Sequence, residues 1–70
     1  MFVTATVKAL RLDKGYFFLQ VPGVDRDVFA HSYDLADEVS FDEQLMHRTL
    51  ECEVEDAPKG PRAVNVRAAR

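Results

Sequence analysis

The sequence predicts an all-β domain in which five short antiparallel strands close into a small barrel. The clearest observation is Leu50–Glu55, where apolar and acidic residues alternate strictly, as they do in a half-buried strand. Two further runs, Tyr16–Val21 and Asp27–His31, are rich in the aromatic and β-branched residues that favour strands. The 70 residues are 47% hydrophobic, which suffices for one small core. We therefore expect a single domain over residues 1–70.

The first strand is expected at Phe2–Leu12, because apolar side chains alternate with threonine and lysine along Val3–Ala9. Asp13–Gly15 predicts a tight turn, since glycine adopts the positive φ that such turns need. The second and third strands are the two aromatic runs. Their connector, Gln20–Arg26, contains a proline, a glycine and an aspartate and is short enough for an antiparallel hairpin.

The segment Ser32–His47 has no period of two, and we interpret it as a long loop. Ala36–Val39 and Phe41–Met46 are its two candidate positions for a helical turn. The fourth strand is the alternating run described above. Ala57–Pro61 then predicts a turn, and Ala63–Ala68 predicts the last strand.

A closed sheet is the economical arrangement of these strands, because closure removes both unpaired edges. The five-stranded OB-fold is the known architecture of this size. A three-stranded sheet beneath a helix from the central segment is the less supported alternative. The predicted core consists of Val7, Leu19, Val28, Leu50, Cys52, Val54, Val64 and Val66.

The two aromatic runs predict a platform of rings on one face of the sheet. Side chains two apart share a face, so Tyr16 lies beside Phe18, and Phe29 lies beside His31. An aligned hairpin register joins these four rings. Phe17 points the opposite way and is expected to be structural. Bases stack on rings while phosphates attract cations, so the platform indicates single-stranded nucleic acid; ordinary core aromatics are the alternative that the pattern alone leaves open.

Charge is unevenly distributed along the chain. Nine lysines and arginines stand against twelve aspartates and glutamates, a formal net charge of −3. Nucleic-acid-binding proteins often carry a basic excess, so we expect phosphate binding weaker than that of a basic protein. The basic residues lie around the first turn and near the end of the chain: Lys8, Arg11, Lys14, Lys59, Arg62, Arg67 and Arg70.

Several classes of function lack the residues that they need. No apolar run approaches the ~20 residues of a membrane span, and Met1–Thr4 lacks the features of a secretion signal. Cys52 is the only cysteine, which excludes an intramolecular disulfide and is typical of a cytoplasmic protein. No nucleophile lies beside a base, and the two histidines and the cysteine are scattered. We therefore expect no catalysis, no metal and no cofactor.

Lys14–Leu19 (Lys-Gly-Tyr-Phe-Phe-Leu) and Asp27–His31 (Asp-Val-Phe-Ala-His) resemble the two nucleic-acid-binding motifs of the bacterial cold-shock domain family. The resemblance continues in Val7-Lys8 near the start and in Lys59-Gly60-Pro61 before the last strand. These matches occur in the family's order across nearly the whole chain, which makes them fairly specific. The resemblance implies an OB-fold that stacks single-stranded RNA or DNA on its first three strands, and acidic residues that point away from that face.

The resemblance also implies which residues bind. Tyr16, Phe18, Phe29 and His31 match the family's exposed stacking rings. The basic side chains grouped at the first turn predict phosphate contacts. Lys8, Arg11 and Lys14 are the stronger phosphate candidates, and Lys59 and Arg62 are the weaker ones.

Three departures from the family pattern reduce the expected affinity. Ala9 and Leu10 stand where the family has an aromatic pair, and Ser32 stands where it has phenylalanine. Stacking is worth roughly 1–3 kcal/mol per base, so we expect a weak, sequence-tolerant binder with a shortened platform. An exposed Leu10 would also leave an apolar spot that favours self-association.

Two alternatives from other classes stay open. In one, the depleted face has become a protein-binding surface, and the acidic loop engages a basic partner. In the other, the chain is an auxiliary N-terminal domain of a larger protein. The expected protein is otherwise a monomer without membrane contact.

Overall fold

The computed structural model describes residues 1–69, and Arg70 lies outside the described residues. Its five strands form a closed barrel in the order β1-β2-β3-β5-β4, which confirms the predicted all-β, five-stranded OB-fold. No sheet lies beneath an α-helix in this part of the chain. The strands are β1 (Val3–Arg11), β2 (Tyr16–Gln20), β3 (Val28–His31), β4 (Thr49–Ala57) and β5 (Gly60–Ala68).

The barrel closes through one parallel contact. β1 pairs antiparallel with β2 on one side and with β4 on the other, and β2 pairs antiparallel with β3. β3 and β5 instead run parallel, with Phe29 opposite Arg62. The other ladders between strands are antiparallel, as expected, whereas the prediction of antiparallel strands throughout is wrong at the β3–β5 pair. This closing contact brings the start of β5 against the ring-bearing strand β3. Leu35, in the connector between β3 and β4, adds an isolated parallel bridge to Val66 of β5.

A bulge at Lys8 reverses the alternation of β1. Val7 pairs with Leu19 before it, whereas Ala9 pairs with Phe18 and Leu10 with Phe17 after it. Because paired residues share a face, Leu10 turns inward and packs partly buried against the core. The expected exposed apolar spot at Leu10 is therefore wrong, since the extra residue moves this side chain to the inner face.

The core is formed by inward side chains from all five strands. Six of the eight predicted core residues are fully buried, and Val54 packs partly buried against them. Burial raises the pKa of the Cys52 thiol, as expected of a small apolar core residue. Phe17 is also fully buried, which confirms its structural role, and its ring centroid lies 6.0 Å from that of Phe41.

Val64 is not part of this core, because β5 carries a second bulge. Asn65 has a positive φ of 52°, and the β4–β5 register shifts where Glu51 pairs with Arg67 but Glu53 pairs with Val64. The strict alternation behind the prediction fails at this extra residue. Ala63 and Val66 are buried in its place.

The connector between β3 and β4 contains two short 3₁₀ turns, Ser32–Asp34 and Glu43–Leu45. The second lies within the predicted Phe41–Met46 turn and begins where the Asp42 side chain accepts a 2.9 Å hydrogen bond from the Gln44 N–H. Ala36–Val39 forms a turn, in which the Val39 N–H donates a 3.0 Å hydrogen bond to the Ala36 carbonyl, but not a helix. Its Val39 side chain is buried in the core, as is that of Leu45, so the connector contributes to the barrel interior.

The described part of the chain holds no helix with the length and apolarity that a membrane crossing requires.

Candidate nucleic-acid interface

The four predicted rings lie together on the outer face of the β2–β3 hairpin. Tyr16 pairs with His31 and Phe18 pairs with Phe29, so the expected register is confirmed. The centroid of Tyr16 is 5.7 Å from that of Phe18 and 5.5 Å from that of Phe29, and Phe18 and Phe29 are 5.8 Å apart. We call these four residues the ring platform. All four are half-buried, so their outer faces remain open for contact with a planar ligand.

The platform ends at β1. Ala9 pairs with Phe18 and therefore occupies the neighbouring position on the same face, where its methyl group offers little stacking area. Leu10 faces the core and does not belong to this surface. Of the two aromatic positions expected to be missing from β1, only the one at Ala9 shortens the platform.

Tyr33 is an exposed ring that the sequence analysis missed. It is 92% exposed, and its centroid lies 4.4 Å from that of His31. A sequence signal did exist, since Phe29, His31 and Tyr33 occupy every second position. This spacing does not predict the direction of the Tyr33 side chain, because β3 ends at His31 and a 3₁₀ turn follows.

Backbone contacts hold His31 in one orientation. The Tyr33 N–H donates a 3.1 Å hydrogen bond to His31 Nδ1, so a neutral imidazole carries its hydrogen on Nε2. The ring lies near Gly15, where a Cβ atom would be 3.8 Å from Nε2. Gly15 has a φ of +79°, which side chains rarely adopt. Gly15 is therefore favoured by its backbone conformation, whereas a side-chain Cβ at this position would make only ordinary contact with the His31 ring.

A cleft of about 610 Å³ opens beside Phe18 and Phe29. Its other wall is the β4–β5 hairpin, whose turn consists of Pro58 and Lys59 because Ala57 pairs directly with Gly60. The predicted turn, Ala57–Pro61, is longer than this one, and no sequence pattern indicates the wall. The cleft is lined by Phe18, Phe29, Ala57, Pro58, Lys59, Gly60, Pro61 and Arg62.

Arg26 contacts this hairpin, and the sequence did not indicate this contact. Its Nη2 donates a 3.4 Å hydrogen bond to the Lys59 carbonyl. Gly60 makes room for the guanidinium, since a Cβ at this position would lie 2.8 Å from the same nitrogen. No periodic pattern marks Arg26, because its partner is 33 residues away in the chain.

The predicted phosphate-binding cations fall into two groups. Lys8 is paired with Asp27 at 2.9 Å, and Arg62 is paired with Asp34 at 3.0 Å. The Asp34 hydrogen bond and charge raise the pKa of the Arg62 guanidinium. These contacts correct the expectation that the acidic residues point away from the site, because two carboxylates reach its cations from loops.

Arg11, Lys14 and Lys59 form the second group. They are exposed, and no salt-bridge partner is found for them among residues 1–69. Arg11 pairs with Tyr16 across the β1–β2 ladder and so lies on the platform face. Lys14 lies in the adjoining turn, and Lys59 lines the cleft. The unpaired cations therefore lie around two sides of the ring platform.

Three glutamates, Glu51, Glu53 and Glu55, form an acidic stripe along β4. Two of them interact with residues outside the ring platform. Glu51 accepts a 3.1 Å hydrogen bond from Arg67. Glu53 accepts a 2.8 Å bond from Asn65 and pairs with the N-terminal ammonium. These interactions, led by the Asn65 hydrogen bond, lower the pKa of Glu53. Glu51 and Glu53 are therefore engaged with β5 and the N-terminus, whereas Glu55 lies opposite Arg62 in the β4–β5 ladder.

The sequence is similar to those of two known cold shock proteins. The chain is 36% identical over 66 residues to the major cold shock protein CspA of Bacillus cereus, a match that covers 94% of this chain and 96% of that protein. It is 40% identical over 62 residues to a cold shock-like protein of Aquifex aeolicus, covering 89% and 87% of the two chains. No family model matches the sequence.

Among solved structures, the fold is similar to one described as Drosophila Unr CSD456, with a TM-score of 0.79 and 15% sequence identity. The match covers 100% of this chain and 27% of that one, so this chain spans about a quarter of the solved protein. At this identity the likeness concerns the fold alone.

Proposed function

This chain belongs to the cold-shock protein family, and we propose that it binds single-stranded RNA or DNA by stacking bases on the ring platform. The observation that carries the proposal is the grouping of four half-buried rings on one outer face. The centroids of Tyr16, Phe18 and Phe29 lie 5.5–5.8 Å apart, and His31 lies opposite Tyr16 in the ladder. Unpaired bases stack on such rings, and every base offers a π-face.

The surroundings of the platform support a strand that continues past the rings. The cleft beside Phe18 and Phe29 is apolar along Pro58 and Pro61 and has Lys59 at its edge. A base leaving the platform meets this wall, while its phosphate meets a cation. Because the contacts are to ring faces and phosphates, we expect little discrimination between base sequences.

The charges favour modest affinity. Phosphates approaching Lys8 or Arg62 compete with Asp27 and Asp34, which already hold those cations. Arg11, Lys14 and Lys59 are available without that competition. Each phosphate contact to a single strand contributes about 0.7 to the slope of log affinity against log salt, so three contacts predict a slope of about −2.

Fluorescence anisotropy of labelled oligo(dT) and oligo(U), each about eight nucleotides long, tests the proposal. We expect saturable binding that weakens from low to moderate salt with this shallow slope, because few cations are free. An unlabelled oligonucleotide should displace the probe, whereas an unlabelled duplex of equal length should displace it poorly. Absence of binding at low salt would contradict the proposal.

A second candidate is an interface for a basic protein segment. It is favoured by the exposed acidic side chains of the β3–β4 connector, Asp37, Glu38, Asp42 and Glu43. In sequence, these four residues follow those of the ring platform and belong to a different segment. Binding of a labelled oligolysine peptide in the absence of any oligonucleotide binding would favour this candidate.

A further inference from the structure

Tyr33 combines a highly exposed side chain with a tethered backbone. The 3₁₀ turn that carries it is tied down at both ends, because the Ser32 N–H donates to the Gly15 carbonyl at 2.9 Å and the Leu35 N–H donates to the Ser32 carbonyl at 3.2 Å. Its own N–H bonds to His31 Nδ1. A ring on a tethered turn loses less conformational freedom on binding than one on a loose loop.

The Tyr33 ring continues the ring platform beyond the end of β3. It lies 4.4 Å from His31 at an interplanar angle of 42°, so the two rings are neighbours but not a closed parallel stack. With 92% of the residue exposed, one side of the ring contacts His31 and the other is open. An exposed aromatic ring with an open face is a stacking surface for a base.

The charged residues beyond Tyr33 indicate that it is the last stacking position at this end of the ring platform. A groove of about 520 Å³ lies beyond the ring, and the residues that line it include Phe2, Leu35 and Arg67 together with Asp34 and Glu38. Arg67 is already engaged, since its guanidinium lies 3.5 Å from the centroid of Phe2 and donates to Glu51. A phosphate entering this groove would meet the acidic residue Glu38 and no free cation among the lining residues, because Arg67 is engaged with Glu51 and Asp34 is already paired with Arg62. This disfavours a strand running deeper.

We infer that Tyr33 is a fifth base-stacking residue, which lengthens the platform of the β2–β3 hairpin by one nucleotide. The inference rests on the proposed function of the ring platform. The ligand at this end is the terminal base of the bound strand. This base stacks on Tyr33, and the preceding base stacks on His31. The groove beyond offers a phosphate no free cation among its lining residues, so it disfavours binding of a further nucleotide.

Tyrosine fluorescence provides a direct test. The chain has two tyrosines and no tryptophan, so Tyr16→Phe keeps a ring at position 16 and leaves Tyr33 as the sole fluorophore. Titration with oligo(dT) should quench this emission with the same Kd that anisotropy gives for the same variant. Free N-acetyltyrosinamide, titrated identically, corrects for light absorbed by the oligonucleotide. Anisotropy that shows binding while the corrected emission stays constant would overturn the inference and leave the proposed function intact.

Affinity measurements complete the test. Tyr33→Ala should weaken oligo(dT) binding between about fivefold and a hundredfold, the effect expected of one lost base stack. Tyr33→Phe keeps the ring and should bind within about twofold of the parent, and circular dichroism should show both variants folded. Parent-like affinity of Tyr33→Ala would overturn the inference. Loss of affinity in Tyr33→Ala without quenching in Tyr16→Phe would also overturn it, since Tyr33 would then act only by orienting His31. If the parent chain binds no oligonucleotide, the proposed function fails as well.

Discussion

Phe18→Ala is expected to weaken binding of single-stranded oligonucleotides by about 10- to 100-fold while the barrel remains folded. One lost base stack accounts for a factor of this order. Phe18 also contacts the rings of Tyr16 and Phe29 and lines the cleft, so its removal disturbs the centre of the platform. Because the side chain is only half-buried, the cost to the free energy of unfolding is much smaller than that of a core residue.

Anisotropy titrations of the parent and the variant measure this effect. Gln20→Ala is a matched control, because Gln20 lies two residues along the same strand, is exposed and carries no ring. It should bind like the parent. Equal affinities for Phe18→Ala and the parent, with both folded by circular dichroism, would show that bases do not stack on this face.

Phe17→Ala is expected to remove most of the stability of the domain. Phe17 is fully buried and is among the largest fully buried side chains. Truncation of a buried phenylalanine costs about 3–5 kcal/mol, whereas a 70-residue domain has a free energy of unfolding of roughly 4–10 kcal/mol. The expected decrease in Tm is about 15–30 °C.

Thermal unfolding followed by circular dichroism measures this decrease. Phe17→Leu fills much of the same volume and should lose far less stability. Phe17 and Phe18 are adjacent in sequence but lie on opposite faces of β2, so the first substitution should affect folding and the second should affect binding. A Tm for Phe17→Ala within a few degrees of the parent would contradict the assignment of Phe17 to the barrel interior.

Alternation along the strands is what made the barrel predictable. The inward and outward faces of β2 and the start of β4 follow directly from their sequences, and so does the ring platform, because strand pairing preserves the period of two. Prediction of the ring platform also required the pairing of only one hairpin, β2–β3, whose connector is short. Local sequence therefore determines this part of the site.

The errors arose where one extra residue interrupts the alternation. The bulges at Lys8 and Asn65 move Leu10 into the core and Val64 out of it. A bulge depends on how the partner strand is paired, which no pattern within a single strand reveals. Asn65 did carry a weak signal, because asparagine tolerates the positive φ that it adopts here.

The electrostatics of the site were predictable only in part. The basic residues were identified, but their pairing with Asp27 and Asp34 joins positions 19 and 28 residues apart. Such contacts depend on how the barrel brings loops together. Tyr33 was missed for a related reason, because its direction is set by the turn after β3 and not by strand alternation.

The central claim is that the outer face of the β2–β3 hairpin is the surface that meets single-stranded nucleic acid. A titration of ¹⁵N-labelled protein with unlabelled oligo(dT), followed by ¹H–¹⁵N correlation spectra, tests it most directly. We expect the largest shift changes at Tyr16–Phe18, at Phe29–Tyr33 and along the cleft at Lys59–Arg62, with little change at Glu51–Glu53. Changes concentrated on the acidic stripe or the acidic connector, with the ring-bearing strands unaffected, would contradict it.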